Sequence, residues 1–310
     1  MEKVLIIKLG FVETIGKGSI FDGVSLGDVF RTTAILHLFK DSEVTWLVSK
    51  EASQLLYNNE YIKRTLIYDL TSILQLQSEY FDVVINLEKI PGICAFSDKI
   101  PAWKRYGFRF DASTGTAKAY DKADEILANS DDATLRKTST KPWISMLYEM
   151  LGKKWQGEEY ILGYKPKTNV EYDIGFNLKT GKKWRNKSWQ EKHWQVLEKL
   201  LDTKYKISYQ ESLDDIFGYI DWLNQHRLIV TNDSLGLHLA LALKKKVIAL
   251  FGPTSSKEIE FFNRGLALEP ENYKTCMPCY DAECKYELSC INEIEPEKVA
   301  KEIDKLLQNG

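Results

Sequence analysis

The chain has 310 residues, 44% of them apolar and 28% charged, and its formal charge is −2. At this length one hydrophobic core usually stops growing, so two domains are expected. The near-neutral charge gives no argument for nucleic acid as a partner. No apolar run approaches the roughly 20 residues that cross a bilayer, and the start, MEKVLIIKLG, lacks a cleavage site of small residues. We therefore expect a cytoplasmic protein without a transmembrane segment.

The first half alternates apolar runs with helical patterns, which indicates a parallel, doubly wound sheet. Residues 10–27 form a glycine-rich stretch that is long for a βα loop, and such loops are usually functional or disordered. Between residues 89 and 141 the pattern dissolves, which predicts a loop-rich region bordering a cleft or a solvated insertion. The predicted strands are 4–9, 44–48, 65–69 and 82–88, and the predicted helices are 26–39, 51–57, 73–80 and 142–151.

The second half restarts the same alternation, and we place the domain boundary between residues 165 and 166. Two open α/β sheets of this kind are expected to face one another across a cleft. The predicted strands are 173–178, 206–210, 228–231, 247–252 and 266–268, and the predicted helices are 188–201, 214–223, a short one after Ser234 and a final one after Pro296.

The pair Asp233 and Ser234 lies where a strand ends and a helix begins. Either residue could cap the helix, and the exposed N–H groups from Ser234 through Leu235 to Gly236 could equally bind a phosphate. Gly236 would allow close approach to the backbone. The Asp233 carboxylate would repel phosphate, so capping or a sugar hydroxyl suits it better. His238, one turn on, is a buried core residue or a donor to a phosphate oxygen.

A basic loop also follows a strand, from Lys179 to Lys187, and includes Lys183. It is a solvated loop or a phosphate site. Together with the helix start at Ser234 it suggests a ligand with a diphosphate. Ser188 and Glu191 have the spacing of a capping box at the next helix.

Asp28 follows the glycine-rich stretch, three residues after Ser25. The two residues resemble a capping box with Asp in place of Glu. Alternatively, the Asp28 carboxylate acts as a general base that takes a proton from an attacking hydroxyl.

Four cysteines have the spacing C-x2-C-x4-C-x5-C, whereas Cys94 stands alone. Four thiolates are suitable ligands for tetrahedral zinc or iron, and an iron–sulfur cluster is a further interpretation. Two disulfides or free thiols are the alternatives. The predicted metal ligands are Cys276, Cys279, Cys284 and Cys290.

Three stretches in chain order resemble glycosyltransferase family 9, the bacterial ADP-heptose:lipopolysaccharide heptosyltransferases. The first is KLG followed by SLGDVFRTTAILHLF (25–39). The second is GFNLKTGKKWRNKSWQEKHWQVLEKLL (175–201), and the third is VTNDSLGLHLALALKKKVIALFGPTS (230–255).

The resemblance implies a GT-B fold, with an acceptor-binding domain at 1–165 and a nucleotide-sugar-binding domain at 166–310. It implies that Asp28 is the catalytic base, that Lys187 contacts the donor, and that Asp233, Ser234 and His238 contact the nucleotide and diphosphate. It further implies inversion at the anomeric carbon without a divalent metal or other cofactor, because basic side chains and helix termini neutralise the leaving diphosphate. ADP-heptose is the favoured donor, and the acceptor is a lipopolysaccharide core, another glycan, a lipid-linked sugar or a protein. Peripheral contact with the inner membrane would follow.

Two departures from the family pattern leave alternatives open. The family's Asp-Thr-Gly stands here as Asp233-Ser234-Leu235, with the glycine one place later, and the glycine-rich stretch separates KLG from SLGD. A transferase with another nucleotide sugar therefore remains an alternative. So do a nucleotide-sugar epimerase of similar fold and a non-catalytic module that binds nucleotide or metal.

Overall fold

A computed structural model describes residues 1–11, 23–181, 184–211, 215–271 and 276–308. The chain forms two compact units, Met1–Tyr164 and Lys165–Gly310. Over the described ranges, no helix is both long enough and apolar enough to span a membrane.

The first unit is built on a six-stranded sheet with the order β3-β2-β1-β4-β5-β6. All neighbouring pairs are parallel except β5 and β6. The chain moves outward from β1 through β2 to β3 and then crosses to β4, so the order reverses between β1 and β4. Its strands are β1 (Glu2–Ile7), β2 (Ser42–Val48), β3 (Arg64–Ile67), β4 (Phe81–Asn86), β5 (Ala102–Asp111) and β6 (Thr116–Ala119).

Helices cover both faces of this sheet, which explains the unbroken apolar run in β1: Val4 to Ile7 are fully buried. The predicted helix 26–39 is α-helical only at its start, and residues Thr33–Phe39 continue as a 3-10 helix. A 3-10 turn, Ser53–Leu56, replaces the helix predicted at 51–57. The α-helices are α1 (Leu26–Thr32), α2 (Leu70–Gln77), α3 (Pro91–Lys99), α4 (Asp124–Asp131), α5 (Ala133–Thr138) and α6 (Trp143–Met150).

The prediction that residues 89–141 form a loop-rich region is wrong. This stretch contains α3, the β5–β6 hairpin, α4 and α5. β5 carries charged side chains among its apolar ones because it lies near the edge of the sheet, where only part of each face is covered. The Arg105 side chain is fixed by hydrogen bonds, because its guanidinium donates to the backbone carbonyl oxygens of Ser97 and Ile100.

The second unit has a parallel five-stranded sheet with the order β11-β10-β9-β7-β8. From β7 the chain moves to β8 on one side and then to β9 on the other, so the order reverses between β7 and β9. One face is covered by α7 and α10, whose apolar side chains, such as Trp194 and Ile303, share a core with β7 and β9. The elements are β7 (Tyr172–Asn177), α7 (Glu191–Leu201), β8 (Ile207–Tyr209), α8 (Ile216–Asn224), β9 (His226–Asn232), α9 (Leu235–Ala242), β10 (Lys246–Leu250), β11 (Gly265–Leu268) and α10 (Pro296–Gln308).

Both predicted capping boxes are wrong, because tertiary partners take the groups that would form them. Ser25 precedes α1, but its backbone N–H donates to the carbonyl of Gly10 at 2.7 Å. α7 begins only at Glu191, after Gln190, and the Ser188 hydroxyl lies 2.6 Å from that of Thr180. The fold class itself, a doubly wound α/β chain with two parallel sheets, is confirmed.

Candidate functional site

The candidate site lies at the carboxyl ends of β7 and β9, where the strand order of the second sheet reverses. Ligands of open parallel sheets bind in the crevice outside the strand ends at such a point. The loop after β7 supplies Lys187, the turn after β9 supplies Asp233, and the loop after β10 supplies Thr254. These three residues were spread over about 70 positions of sequence, and the topology brings them together.

Asp233 is the centre of this group. Its Oδ2 lies 2.6 Å from the Lys187 ammonium and accepts a hydrogen bond of 2.7 Å from the Thr254 hydroxyl. Both charged side chains are mostly buried, at 14% and 15% exposure. Burial opposes ionisation of Asp233, but the charge and hydrogen bond of Lys187, the Thr254 hydroxyl and His238 together lower its pKa to about 2. The carboxylate is therefore ionised at every physiological pH, and it neutralises the lysine.

Thr254 has no role in the sequence predictions. A signal for it exists, because Thr254 follows Gly252 and Pro253 at the carboxyl end of β10. The carboxyl ends of parallel strands form one edge of a sheet, so a hydroxyl there is a candidate for the same site.

Ser234 precedes α9, but its side chain does not cap the helix. Its hydroxyl accepts instead from the amide Nδ2 of Asn177 at 3.1 Å, and Asn177 in turn accepts from the Tyr219 hydroxyl at 2.7 Å. The start of α9 is thus fixed by β7 and α8 and not by its own N-cap. Backbone N–H groups at a helix start favour an anion, which keeps Ser234 and Leu235 as predicted diphosphate contacts.

Gly236 is required by the protein's own packing. A Cβ at this position would lie 2.2 Å from the Tyr219 hydroxyl and 2.3 Å from the Asn177 amide. The close approach expected at this glycine is therefore made by those two side chains. A contact between Gly236 and a ligand remains a prediction.

The predicted basic loop divides into residues with different roles. The Lys179 ammonium donates a hydrogen bond to the backbone carbonyl of Glu211. Arg185 is exposed, and Lys183 lies outside the described residues. Lys187 lies 4.9 Å from the centre of the Trp184 ring, which adds a cation–π contact to its ion pair.

His238, one turn into α9, is buried at 4% exposure. Its electrostatic effect on Asp233 contributes to the lowered pKa of that carboxylate. Its direct contact with a ligand stays a prediction.

Asp28 lies in α1 of the first unit with about a third of its side chain exposed, and its Oδ1 is 2.7 Å from the Arg31 guanidinium. Arg31 also lies over the Trp143 ring, 4.8 Å from its centre. Burial opposes ionisation, but Arg31, Lys8 and the Ser25 hydroxyl hold the pKa of Asp28 far below its usual range. The carboxylate is therefore always available to accept a proton, as a weak base.

The glycine-rich stretch does not separate KLG from SLGD in space. Phe11 and Val24 form an antiparallel bridge, and the Ser25 N–H donates to the Gly10 carbonyl. Phe11 and Val24 stand close to the two ends of residues 12–22, which lie outside the described ranges. The two halves of the motif are adjacent, as they would be in a chain without the extra residues.

The four clustered cysteines are free thiols, with Cys290 buried and the others half-buried. Burial raises the pKa of Cys290 to about 11, and the other three thiols add to this effect. In the part of the chain that the structure describes, no group of three or more His, Cys, Asp or Glu side chains is arranged to hold a metal ion. The prediction of zinc or iron at Cys276, Cys279, Cys284 and Cys290 is therefore not supported.

The cysteine-bearing segment packs instead against the loops of the candidate site. The Tyr280 N–H donates to the Pro253 carbonyl at 2.8 Å, and its hydroxyl donates to Glu258 at 2.6 Å. The Asn186 amide donates to the Asp281 carbonyl. The segment thus contacts the immediate neighbours of Thr254 and Lys187.

Comparisons with known proteins find similarity to part of the sequence and to the whole fold. The sequence profile described as glycosyltransferase family 9 (heptosyltransferase) matches residues 215–289. Lipooligosaccharide heptosyltransferase 2 of Campylobacter jejuni is 35% identical over 90 residues, which is 27% of this chain and 26% of that protein. The matched part thus spans about a quarter of the curated relative.

Solved structures extend the similarity in fold to the whole chain. A family 9 glycosyltransferase from Veillonella parvula superposes with a TM-score of 0.66 at 16% identity, covering 100% of this chain and 98% of that one. The E. coli heptosyltransferase WaaC, solved with ADP, gives a TM-score of 0.65 at 15% identity, covering 98% and 99%.

Proposed function

We propose that this chain is a member of glycosyltransferase family 9, whose profile matches residues 215–289, and that it transfers a sugar from a nucleotide-sugar donor to an acceptor hydroxyl, with inversion at the anomeric carbon. The observation that carries the proposal is the group of Lys187, Asp233 and Thr254 beside the start of α9, at the reversal point of the second sheet. A cation and free helical N–H groups at such a point suit a diphosphate.

The donor's diphosphate would bind at Lys187 and the first turn of α9. In the free protein the Lys187 ammonium is paired with Asp233, so an incoming diphosphate must share or replace that partner. Asp233 would then be free to accept from a hydroxyl of the ribose or of the sugar. ADP-heptose is the donor we favour, since a relative similar in fold was solved with ADP and the similar proteins are named heptosyltransferases.

The reaction we propose is a single displacement. The acceptor oxygen forms a bond to the anomeric carbon, the bond from that carbon to the diphosphate oxygen breaks, and the proton of the hydroxyl passes to the Asp28 carboxylate. The low pKa of Asp28 makes it a weak base for a free hydroxyl. The hydroxyl becomes far more acidic as its oxygen bonds to carbon, so the transfer is expected late in the step.

Stabilisation of the leaving group would come from Lys187 and the N-terminus of α9. A fixed cation and backbone dipoles aimed at developing charge are among the strongest catalytic devices in a site shielded from water. We propose on this ground that transfer requires no metal or other cofactor.

The acceptor we propose is a hydroxyl of a lipopolysaccharide core or another surface glycan, with a lipid-linked or protein acceptor as the alternative. The cytoplasmic location expected from the sequence, at the inner face of the membrane, is part of this proposal. The name of the similar lipooligosaccharide heptosyltransferase supports this choice of acceptor.

Product analysis tests the function directly. The purified chain is incubated with ADP-heptose or with ADP-, UDP- and GDP-hexoses, each with and without a truncated lipopolysaccharide acceptor. We expect release of the nucleoside diphosphate and a glycosylated acceptor only when both substrates are present. Conversion of the donor alone would instead indicate an epimerase, and binding without turnover of any pair would indicate a non-catalytic module.

A further inference from the structure

Glu88 has no role in the proposed reaction, yet it lies at the point where the strand order of the first sheet reverses. It follows β4 by two residues and is 2% exposed. Its Oε1 accepts from the backbone N–H of Leu9 at 2.7 Å and of Gly10 at 2.9 Å. The same oxygen lies 3.2 Å from the Lys8 ammonium. One carboxylate therefore holds three consecutive residues after β1.

Those residues are joined to the helix that carries Asp28. The Gly10 carbonyl accepts from the Ser25 N–H at 2.7 Å, and Asp28 comes three residues later. Gly10 has a φ of +86°, and a Cβ there would lie 2.8 Å from a methyl group of Val29. The backbone after β1 is thus in close contact with the first turns of α1, and Glu88 fixes it from the other side.

Glu88 also pairs with one of the cations that act on Asp28. The charged groups acting on Asp28 are Arg31, Lys8 and Arg136, with the Ser25 hydroxyl as a hydrogen-bond donor. Lys8 is 11% exposed at its side chain and is the one of these cations that also pairs with Glu88. A buried cation that loses its partner is drawn to the next available anion, because an unpaired buried charge is costly.

We propose that Glu88 is a positioning residue for Asp28: it holds the backbone that fixes the start of α1, and it keeps the Lys8 ammonium paired with itself and not with the Asp28 carboxylate. This inference rests on the proposed role of Asp28 as the general base. Glu88 itself does not contact substrate.

The test is a cycle of Glu88→Gln, Lys8→Met and the double variant. Gln keeps an acceptor oxygen for Leu9 and Gly10 but carries no charge, so Lys8 is left to pair with Asp28. We expect kcat of Glu88→Gln to fall on the order of 10- to 100-fold, with the donor KM unchanged. In the double variant no charge is unpaired, and we expect most of the lost kcat to return.

Glu79→Gln is the matched control, because Glu79 pairs with Arg64 at 2.6 Å in the same unit and undergoes the same change of charge. Its kcat should equal that of the wild type. A wild-type kcat in Glu88→Gln would overturn the inference. So would a loss that Lys8→Met does not restore in a double variant with normal melting temperature and ADP binding.

Two further variants keep the test decisive. If Glu88→Gln does not fold, Gly10→Ala tests the backbone connection on its own, and a wild-type kcat there would overturn it. Asp28→Asn is measured in parallel: loss of turnover in Asp28→Asn but not in Glu88→Gln overturns only this inference. Unchanged turnover in Asp28→Asn overturns the proposed base and this inference together.

Discussion

The ammonium of Lys187 lies 2.6 Å from the carboxylate of Asp233, and these two residues are 46 positions apart in the chain. Each is mostly shielded from water, so each is the other's principal charge partner in the described part of the site. A diphosphate that binds here must compete with an internal anion. The affinity and specificity of the proposed donor site therefore depend on how that pair opens.

Lys187→Ala should weaken the binding of ADP. A charged hydrogen bond contributes about 1.5–3 kcal/mol, which corresponds to a loss of affinity of roughly 10- to 150-fold. Isothermal titration calorimetry measures it, with Lys192→Ala as the control, because Lys192 is exposed on α7. Equal ADP affinity in Lys187→Ala and wild type would remove Lys187 from the donor site.

Asp233→Asn should strengthen ADP binding by about three- to tenfold, since the amide no longer neutralises Lys187 or repels phosphate. The preference for ADP-sugar over ADP should decrease at the same time, because the amide is a weaker acceptor for a sugar hydroxyl. Titration of both ligands into both proteins gives the two numbers. A weaker ADP complex would indicate that Asp233 binds the nucleoside.

Asp28→Asn should leave donor affinity unchanged and reduce kcat by about 10²- to 10⁴-fold, the range typical of a lost general base. Steady-state release of the nucleoside diphosphate provides the measurement. Asp41→Asn is the control, because Asp41 is an exposed residue of the first unit and undergoes the same chemical change. This variant should have the kcat of the wild type. A normal kcat in Asp28→Asn would show that another group takes the proton.

Gly236→Ala should destabilise the second unit, since the added Cβ meets the Tyr219 hydroxyl at 2.2 Å and the Asn177 amide at 2.3 Å. Overpacking of this kind costs about 1–3 kcal/mol, and thermal unfolding should show a lower melting temperature. Gly181→Ala is the matched control, because a Cβ there meets nothing within 4 Å. A stable Gly236→Ala protein with weakened ADP binding would instead assign this glycine to the ligand.

The stability of the fold should fall in mild acid because of His226. This residue is fully buried against Trp222 and Tyr172, and burial lowers its pKa to about 4 from an ordinary value of 6.5. Above pH 6.5 both folded and unfolded states hold neutral His. Between 6.5 and about 4 only the unfolded state binds the proton, so the free energy of unfolding decreases, by on the order of 3 kcal/mol in all.

Urea titrations between pH 4 and 8 measure this dependence. His226→Gln removes the titrating group and should flatten the curve in this window. His193→Gln is the comparison: His193 is only partly buried, whereas His226 is fully buried, so most of the slope should persist in His193→Gln. An identical slope in wild type and His226→Gln would assign the effect to other groups.

The apolar runs alone were enough to predict the buried central strands of both sheets. The centres of β1 and β9 are buried on both faces, so each contains an unbroken run of Val, Ile and Leu, and that pattern is local. The βα junctions at Asp28, Lys187 and Asp233 could be found for the same reason. The hairpin at residues 102–119 was missed because its strands lie near a sheet edge, where charge and apolar residues mix.

The sequence by itself determined the alternation of strands and helices, the strand-end positions of the candidate residues and the resemblance to one family. Tertiary structure alone decided the partners of those residues. Lys187 pairs with Asp233, Ser25 gives its N–H to Gly10, and Glu88 holds Lys8. The pattern of buried and exposed side chains depends on neighbouring residues, so it can be recognised along the chain. Hydrogen bonds and ion pairs between distant residues depend on strand order, which one sequence does not display.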